Sequence, residues 1–358
     1  MAKYIYPHLI PENVAPSGAT KIGVYDANGN RAHQISLGAL TPPTGEKLYS
    51  FGLISDSHLM PYSGVSASVK FENAMNWFDG QADFICHCGD VTNHGFYVNA
   101  ETGAVDTAQF NEYKTIRESH PNLPVYCTFG NHDSYSETKS GVLYGRALTH
   151  DLDLLETYTG LVAEDEYGKG VLHYRVDHEG DVFLFVGQTS CTVAMSNESY
   201  AWLVEQINGL NGKRCFIFCH PFFSKDSGDT TNGAYGSSLL DSRAALKTIL
   251  AQTPNVVLFH GHSHFRFDQQ AVEESMIYTH KNGFRSVHVP SLSAPAFVSA
   301  SGKREQTNES YGYLVDVYAD YIILRGRNFG TVSGSTMTNP SWDALGTYKI
   351  DAAQSAKY

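Results

Sequence analysis

Five short clusters of histidine, aspartate and asparagine stand where apolar runs of the sequence end. They are Asp56-Ser57-His58, Gly89-Asp90, Gly130-Asn131-His132-Asp133, Cys219-His220 and Gly261-His262-Ser263-His264. Imidazole nitrogens and carboxylate or amide oxygens are ligands of divalent transition metals, so a metal centre is the first chemistry to consider. The spacing of two within Asp56/His58 and within His262/His264 puts both side chains on one side of an extended backbone, where they can reach a common ion.

Each cluster taken alone has an ordinary explanation. Asp-x-His is a frequent pattern, a single histidine such as His220 more often forms a hydrogen bond in a core or at a surface, and Gly89-Asp90 is typical of a turn. The tetrapeptide Gly-Asn-His-Asp is rarer at average residue usage. All five clusters in this order, each after a strand, are hard to explain by packing and indicate a reaction centre.

The apolar runs ahead of the clusters predict β-strands that are buried on both faces, because they are continuous and not alternating. These runs are KLYSFGLI, ADFICHC, LPVYCTF, KRCFIFC and PNVVLFH. Stretches with helical periodicity lie between them, among them SVKFENAMNWF and YAWLVEQIN. Alternating strands and helices are typical of an α/β fold, in which ligands bind beyond the carboxyl ends of the strands.

The two ends of the chain differ from this central pattern. Residues 1–47 contain KIGVYDANGNRAHQISL, which predicts two strands around an Asn-Gly turn, a small β-hairpin appendage for packing or oligomerisation. Residues 48–330 hold all five clusters and form the predicted catalytic domain, which ends in a hairpin at YGYLVDVYADYIILRGRNF. Residues 331–358 are rich in Ser, Thr and Gly and predict a loosely packed tail.

Composition and charge narrow the functional class. The formal net charge of -12 disfavours a nucleic-acid partner, since polyanions are repelled at long range. The sequence shows no apolar run that could span a bilayer and no signal peptide, which favours the cytoplasm and no membrane partner, with export as part of a virion as the alternative. Six cysteines in 358 residues are too few for a disulfide scaffold and are expected as reduced core thiols.

Together the five clusters resemble the motifs of the calcineurin-like metallophosphoesterase superfamily, which are Asp-x-His, Gly-Asp, Gly-Asn-His-(Asp/Glu), a single His and Gly-His-x-His. The resemblance covers roughly residues 48–330. It implies a four-layer αββα sandwich of two mixed β-sheets flanked by helices. It also implies a dinuclear centre with three ligands for each metal and one bridging carboxylate: Asp56, His58 and His264 for one metal, Asn131, His220 and His262 for the other, and Asp90 between them.

The implied ligand set suits the chemistry of phosphate esters. Two carboxylates give the site a charge of about -2, so two divalent cations leave it at about +2. A metal pair can bind phosphoryl oxygens and lower the pKa of a shared water, so the resemblance implies attack by a metal-bridging hydroxide. Manganese, zinc and iron suit the ligands, as divalent ions or as a mixed-valence pair. The resemblance leaves His132 facing the substrate, where it can protonate the leaving group or stabilise charge on the phosphorane-like transition state. Asp133 either orients His132 or a metal ligand, or caps the turn.

Departures from the family motifs narrow the expected branch. Serine/threonine protein phosphatases carry Gly-Asp-x-x-Asp-Arg-Gly, whereas this chain reads GDVTNHG with Asn93 and His94. Purple acid phosphatases carry a tyrosine at the position of Asn93 and lack the histidine of the first motif, which is present here as His58. The pattern is most similar to that of the cyclic-nucleotide and glycerophosphodiester phosphodiesterases. Asn131 and His94 are the expected substrate contacts, with a solvated loop histidine as the alternative for His94.

The leading hypothesis is a metal-dependent phosphoric ester hydrolase that prefers a small or polymeric phosphodiester to a monoester. A nuclease of the same superfamily is an alternative, against which the acidic charge counts. A virion-type structural module carrying a phosphodiesterase for cell-surface polymers is another. The N-terminal segment and the Ser/Thr-rich tail suggest it, because such flanks can join copies of the chain or attach it to an assembly. Substrate specificity is expected in the loops at about 134–170, 221–238 and 265–284.

Overall fold

The computed structural model of the chain describes residues 21–25, 31–36, 45–60, 66–98, 102–134, 137–139, 142–144, 152–164, 170–190, 193–223, 240–253, 255–266, 277–279, 284–299, 301, 303–333, 336–338 and 340–351. The chain divides into two compact units, Met1–Glu46 and Lys47–Tyr358. In the first unit, Lys21–Tyr25 pairs with Arg31–Ser36 in an antiparallel ladder. The Asn-Gly turn predicted between them lies outside the described residues.

The described helices are short. They are Ser66–Phe78 (α1), Ala108–Glu118 (α2), Leu152–Thr159 (α3), Asn197–Asn208 (α4) and Ala244–Ala251 (α5), with a 3-10 turn at Leu240–Arg243. Of these described helices, none has the length and apolar character that a membrane crossing requires. Helix α4 shows how the sequence sets its ends, because the Ser196 hydroxyl accepts a hydrogen bond from the Ser199 N–H at its start and Gly209 ends it.

Strands make up most of the remaining described structure. In chain order they are Lys21–Tyr25 (β1), Arg31–Ser36 (β2), Lys47–Ile54 (β3), Phe84–Cys88 (β4), Tyr97–Val98 (β5), Val105–Asp106 (β6), Val125–Thr128 (β7), Glu137–Lys139 (β8), Val142–Tyr144 (β9), Ala163–Glu164 (β10), Gly170–Val171 (β11), His173–His178 (β12), Asp181–Val186 (β13), Cys215–Cys219 (β14), Val256–His260 (β15), Ile277–Thr279 (β16), Arg285–His288 (β17), Ala296–Val298 (β18), Arg304–Gln306 (β19), Glu309–Tyr318 (β20), Tyr321–Ser333 (β21), Thr336–Thr338 (β22) and Ser341–Asp351 (β23).

Two large mixed sheets organise the second unit. The first sheet has the order β22-β21-β20-β3-β4-β7, with β23 also paired to β21, and the second has the order β12-β13-β14-β15-β17-β16. In the first sheet β3, β4 and β7 are parallel, and β20 is antiparallel to β3. In the second sheet β13, β14, β15 and β17 are parallel, and the edge strands β12 and β16 are antiparallel.

Three apolar layers separate these sheets from each other and from the helices. The layer between the sheets is aromatic and includes Phe51, Phe84, Phe183, Phe216 and Phe259, which are all buried. The outer face of the first sheet packs against α1 and α2, and the outer face of the second sheet packs against α4 and α5. Burying one such phenylalanine stabilises the fold by about 1.5–3 kcal/mol relative to leaving it exposed. The predicted four-layer αββα sandwich is therefore confirmed.

The end of the chain differs from the sequence prediction. Residues 331–358 were expected as a loosely packed tail, but β22 and β23 both pair with β21, and the first sheet therefore extends to Asp351. Ile350 is buried in the layer between the sheets. A strand next to an existing sheet is stabilised by backbone hydrogen bonds and a few buried side chains, so a sequence rich in Ser, Thr and Gly gives little sign of it.

Candidate metal centre

The structure brings six of the predicted ligands together in two groups. Ligand atoms of Asp56, His58, Asp90 and His264 form one group, and those of Asp90, His220 and His262 form the other; within each group they lie within 4.8 Å of one another. Asp90 belongs to both groups, which is the arrangement expected of a bridging carboxylate. The division of ligands between the groups is also the one that the family motifs imply.

Both sheets contribute to each group. Asp56 and His58 follow β3 and Asp90 follows β4 in the first sheet. From the second sheet, His220 follows β14, and His262 and His264 follow β15. These positions lie beyond the carboxyl ends of parallel strands, where α/β sheets bind ligands.

Asn131, the seventh predicted ligand, follows β7 beside this cluster. Its side-chain oxygen Oδ1 is buried and has no hydrogen-bond partner among the described residues. The next residue ties this turn to the centre, because the His132 backbone N–H donates to Asp90 Oδ1 over 2.8 Å. An unpaired buried amide oxygen at this place is suited to a cation.

Hydrogen bonds to carbonyl and amide oxygens fix which ring nitrogen faces the centre. His58 Nδ1 donates to Asn93 Oδ1 (3.2 Å), His264 Nδ1 donates to Ala294 O (3.2 Å) and His220 Nδ1 donates to Cys88 O (2.8 Å). When the ring is neutral, the Nε2 atom of each histidine therefore turns a lone pair inward. Partners of this kind commonly orient histidines that bind metals.

The inward atoms are acceptors at close range. His264 Nε2 lies 3.0 Å from both Asp56 Oδ1 and His58 Nε2, and His220 Nε2 lies 3.0 Å from Asp90 Oδ2. Lone pairs at this separation repel unless a proton or a metal cation lies between them. Among the described residues, Asp56 Oδ1 and Asp90 Oδ2 have no hydrogen-bond partner other than these imidazoles. The donor set thus fits a pair of divalent metals.

Burial and charge shift the pKa values of these groups in opposite directions. Burial lowers the pKa of His58 to about 4 and of His262 to about 3, so both imidazoles are neutral at neutral pH. Burial also disfavours protonated His220, but Asp90 and Asp56 outweigh it and raise its pKa to about 9. For Asp56, burial is outweighed by His264 and His220, which hold its pKa well below the usual range.

The raised pKa of His220 predicts proton release on metal binding. At pH values between 6.5, the ordinary pKa of histidine, and about 9, its pKa in the folded chain, His220 holds a proton when no metal is bound. A metal that binds to His220 must displace this proton. We expect about one proton to be released per chain at about pH 7.5, falling toward zero near pH 10. Calorimetric titration with Mn²⁺ or Zn²⁺ in buffers of different ionisation enthalpy measures this. Equal binding enthalpies in all buffers at the lower pH would contradict it.

Five of the predicted ligands adopt left-handed backbone conformations. Asp56, His58, Asp90, His262 and His264 have φ values of 54°, 44°, 52°, 72° and 63°. Among the described non-glycine residues, only Glu179 and Asn211 share this property. The expectation that an extended backbone brings the members of each pair to a common ion is therefore wrong, because all four residues are left-handed. Asp56 and His58 do join the same ligand group, whereas His262 and His264 belong to different groups. Left-handed non-glycine residues cost of order 1–3 kcal/mol each and cluster at functional sites.

Hydrogen bonds from neighbouring loops hold this strained backbone. Asp56 N donates to Gly89 O and His58 N donates to Asp90 O, both over 3.0 Å. The Asp56 carbonyl accepts from the hydroxyls of Ser291 (3.0 Å) and Ser293 (2.9 Å). The loop after β17, which also supplies the carbonyl that orients His264, thus supports the first ligand group.

Close backbone approach at Gly261 gives a second prediction. A Cβ atom there would overlap Ser55 Oγ and the Asp56 carboxylate. We expect Gly261→Ala to displace Asp56 and to weaken metal binding by about 10- to 100-fold, measured by competition with a chelator. Gly45→Ala is the control, since its added methyl meets nothing within 4 Å. Equal metal affinity of the two variants would show that the Asp56 position is not critical.

Asp133 caps a turn. Its carboxylate accepts hydrogen bonds from the backbone N–H groups of Gly130 (2.8 Å), Val91 (3.2 Å) and Thr92 (2.8 Å) and from the Thr92 hydroxyl (2.8 Å). Burial and the nearby Asp90 raise its pKa to about 6. Asp133 therefore fastens the loop after β4 to the loop after β7, which agrees with the capping interpretation.

His132 and His94 lie beside the ligand groups. The His132 ring is edge-on to the His58 ring with centroids 4.6 Å apart, and its Nδ1 donates to Asn93 O over 2.8 Å. The His94 ring centroid lies 6.5 Å from that of His132. Most of the three loops expected to set specificity lies outside the described residues.

Comparison with known proteins finds relatives by sequence and by fold. The mouse (Mus musculus) and rat (Rattus norvegicus) proteins named cyclic GMP-AMP phosphodiesterase SMPDL3A are each 23% identical to this chain, over 290 and 292 residues. The matches cover 74% of this chain, and the chain spans 62% of the length of these relatives. The structure of purple acid phosphatase PPD1 from yellow lupin (Lupinus luteus) has a similar fold, with a TM-score of 0.52 and 13% identity over 92% of this chain and 59% of that one.

A family-wide comparison covers the same part of the chain as the five clusters. The model of the family described as calcineurin-like phosphoesterase matches residues 49–266, which is more than half of the chain. The match begins in β3 and ends just after His264, so it includes every predicted ligand. The chain belongs to the calcineurin-like phosphoesterase family.

Proposed function

We propose that the chain is a dinuclear metal-dependent phosphodiesterase. The observation that supports this most directly is the sharing of Asp90 between two buried ligand groups. Asp56, His58 and His264 would hold one metal, Asn131, His220 and His262 the other. The mixed nitrogen and oxygen ligands suit manganese, zinc or iron. Two such cations supply Lewis acidity toward a phosphoryl oxygen and a nucleophile derived from water at neutral pH.

Charge makes the centre suited to an anionic ester. The ligand side chains carry two carboxylates and otherwise neutral groups, so the loaded centre has a charge of about +2. The whole chain has a formal charge of -12, so this centre is a local exception. A phosphodiester with one negative charge is attracted to the centre, and the rest of the surface repels polyanions.

His132 is the proposed proton donor to the leaving oxygen. Because Nδ1 donates to the Asn93 carbonyl, Nε2 is the ring atom that exchanges a proton with the substrate. As an imidazolium, His132 gives that proton to the departing alkoxide. The amide N–H₂ of Asn131 and the His94 ring are the proposed contacts to the substrate, on the side of the centre where His132 lies.

Two observations support a preference for a phosphodiester over a monoester. The mouse and rat relatives are named as phosphodiesterases of cyclic GMP-AMP. The run GDVTNHG also lacks the Asp-Arg pair of the protein phosphatases. Small nucleotide diesters are therefore the first substrates to test.

The test is metal analysis of the purified chain combined with rates on a small set of esters. Bis-(p-nitrophenyl) phosphate, p-nitrophenyl phosphate, cyclic AMP and cyclic GMP-AMP separate diesters from a monoester, and nicking of a plasmid tests for a nuclease. We expect about two metals per chain and faster hydrolysis of the diesters than of the monoester. Faster monoester hydrolysis or efficient nicking would overturn the diester proposal, and a metal-loaded chain with no turnover would overturn hydrolysis.

A further inference from the structure

Asn93 contacts three histidines of the candidate site through three different atoms. Its Oδ1 accepts from His58 Nδ1 over 3.2 Å, and its Nδ2 donates to His94 Nε2 over 2.8 Å. Its backbone carbonyl accepts from His132 Nδ1 over 2.8 Å. One residue thus contacts a predicted metal ligand, the proposed proton donor and the proposed substrate contact.

The surrounding structure fixes the position of Asn93. Its backbone N–H donates to Gln109 Oε1 over 2.9 Å and to Leu59 O over 3.1 Å. Gln109 is buried on α2, and the same Oε1 atom also accepts from the backbone N–H of His94 over 3.0 Å. The side chain makes a further contact from Nδ2 to Met60 Sδ over 3.0 Å. Asn93 is therefore rigid enough to orient the rings that it contacts.

The amide is needed because it is an acceptor and a donor at once. As an acceptor, Oδ1 keeps the proton of His58 on Nδ1, so that Nε2 presents its lone pair to the first ligand group. As a donor, Asn93 Nδ2 forms a hydrogen bond with the Nε2 lone pair of His94 and so orients that ring. An aspartate in this place could accept from His58 but could not donate to His94.

We propose that Asn93 is a positioning residue that orients His58 for metal binding and His94 for substrate binding with one side-chain amide. It also orients His132, through its backbone carbonyl, and a substitution of the side chain leaves that carbonyl in place. The role of Asn93 toward His94 and the substrate rests on the proposed phosphodiesterase function. Its role toward His58 rests on the ligand geometry alone, and metal affinity can be measured without substrate.

Two variants separate the acceptor from the donor. Asn93→Ala removes both functions, and we expect the affinity of the chain for Mn²⁺ or Zn²⁺, measured by chelator competition, to fall by about 10- to 100-fold. Asn93→Asp keeps the acceptor, so we expect metal affinity within about threefold of the native chain. With metals saturating, we expect Asn93→Asp to lower kcat/KM for a diester by about tenfold through the lost donor to His94.

Asn73→Ala is the matched control, since Asn73 on α1 donates through a similar amide to Phe329 O, away from the ligand groups. Native metal affinity in Asn93→Ala would overturn the role toward His58. Metal affinity in Asn93→Asp as low as in Asn93→Ala would overturn the importance of the acceptor, and an unchanged kcat/KM in Asn93→Asp would overturn the role of the donor. If the native chain binds metals but hydrolyses no ester, the proposed function fails, while the metal affinities still test Asn93.

Discussion

An Asp90→Asn variant is expected to lose its metals and to hydrolyse diesters at least about a thousandfold more slowly than the native chain. Asp90 is the only residue common to the two ligand groups that the described residues form, so one substitution weakens both. The change also removes one of two carboxylates that balance the cations. Metal content after desalting and the initial rate with bis-(p-nitrophenyl) phosphate measure the two effects.

The asparagine keeps the loop contact of the native side chain, because an amide oxygen can still accept from the His132 N–H as Asp90 Oδ1 does. A loss of metals in this variant therefore reports on the missing charge, not on a collapsed turn. Asp177→Asn is the control for removal of a carboxylate, since Asp177 is exposed and pairs with Arg175. A variant at Asp90 that retained about two metals would be evidence against a bridging carboxylate.

Replacement of His132 by alanine is expected to leave the metals bound and to slow hydrolysis by about 10²- to 10⁴-fold. The ring lies beside His58 but belongs to neither ligand group. The loss should depend on the leaving group, because a basic alkoxide or phenolate needs protonation more than p-nitrophenolate does. Rates with diphenyl phosphate and bis-(p-nitrophenyl) phosphate, at saturating metal, measure that dependence.

His178→Ala is the control for loss of an imidazole, because His178 ends β12 and packs its ring against Tyr49 and Phe84, away from the ligand groups. It should leave the rate with both esters close to native. An equal loss with both leaving groups in the His132 variant would argue that this ring orients other groups instead of donating a proton.

The sequence was informative about the site where side chains carry the chemistry. The clusters around Asp56, Asp90, His220 and His262 are ordinary when taken singly. Together, each after an apolar run, they match the order of a family motif. Since parallel strands present their carboxyl ends at one edge, the clusters could be expected to meet there. The structure groups these side chains as expected, and the family supports a hydrolase of phosphate esters. The individual role of each side chain remains a prediction.

Other features left little trace in the sequence because the backbone carries them. The carbonyls of Cys88 and Ala294 orient His220 and His264, and any residue type has a carbonyl. The left-handed turn at Asp56 likewise depends on hydrogen bonds from a loop more than 200 residues away in sequence, to which Ser291 belongs. In the sequence, Asn93 stands out only as a departure from a related motif, because its contacts to His58 and His94 depend on how the chain folds.

Because each ligand group takes side chains from both sheets, a bound ion would cross-link the two halves of the sandwich. Mass action then links metal supply to folding: a site that binds only the folded chain adds about 2.7 kcal/mol when the free ion is at a hundred times its Kd. Two such sites add an amount comparable to a large fraction of the stability of an ordinary domain. In a metal-poor compartment, the stability of the fold would then depend on ion availability as well as on its aromatic core.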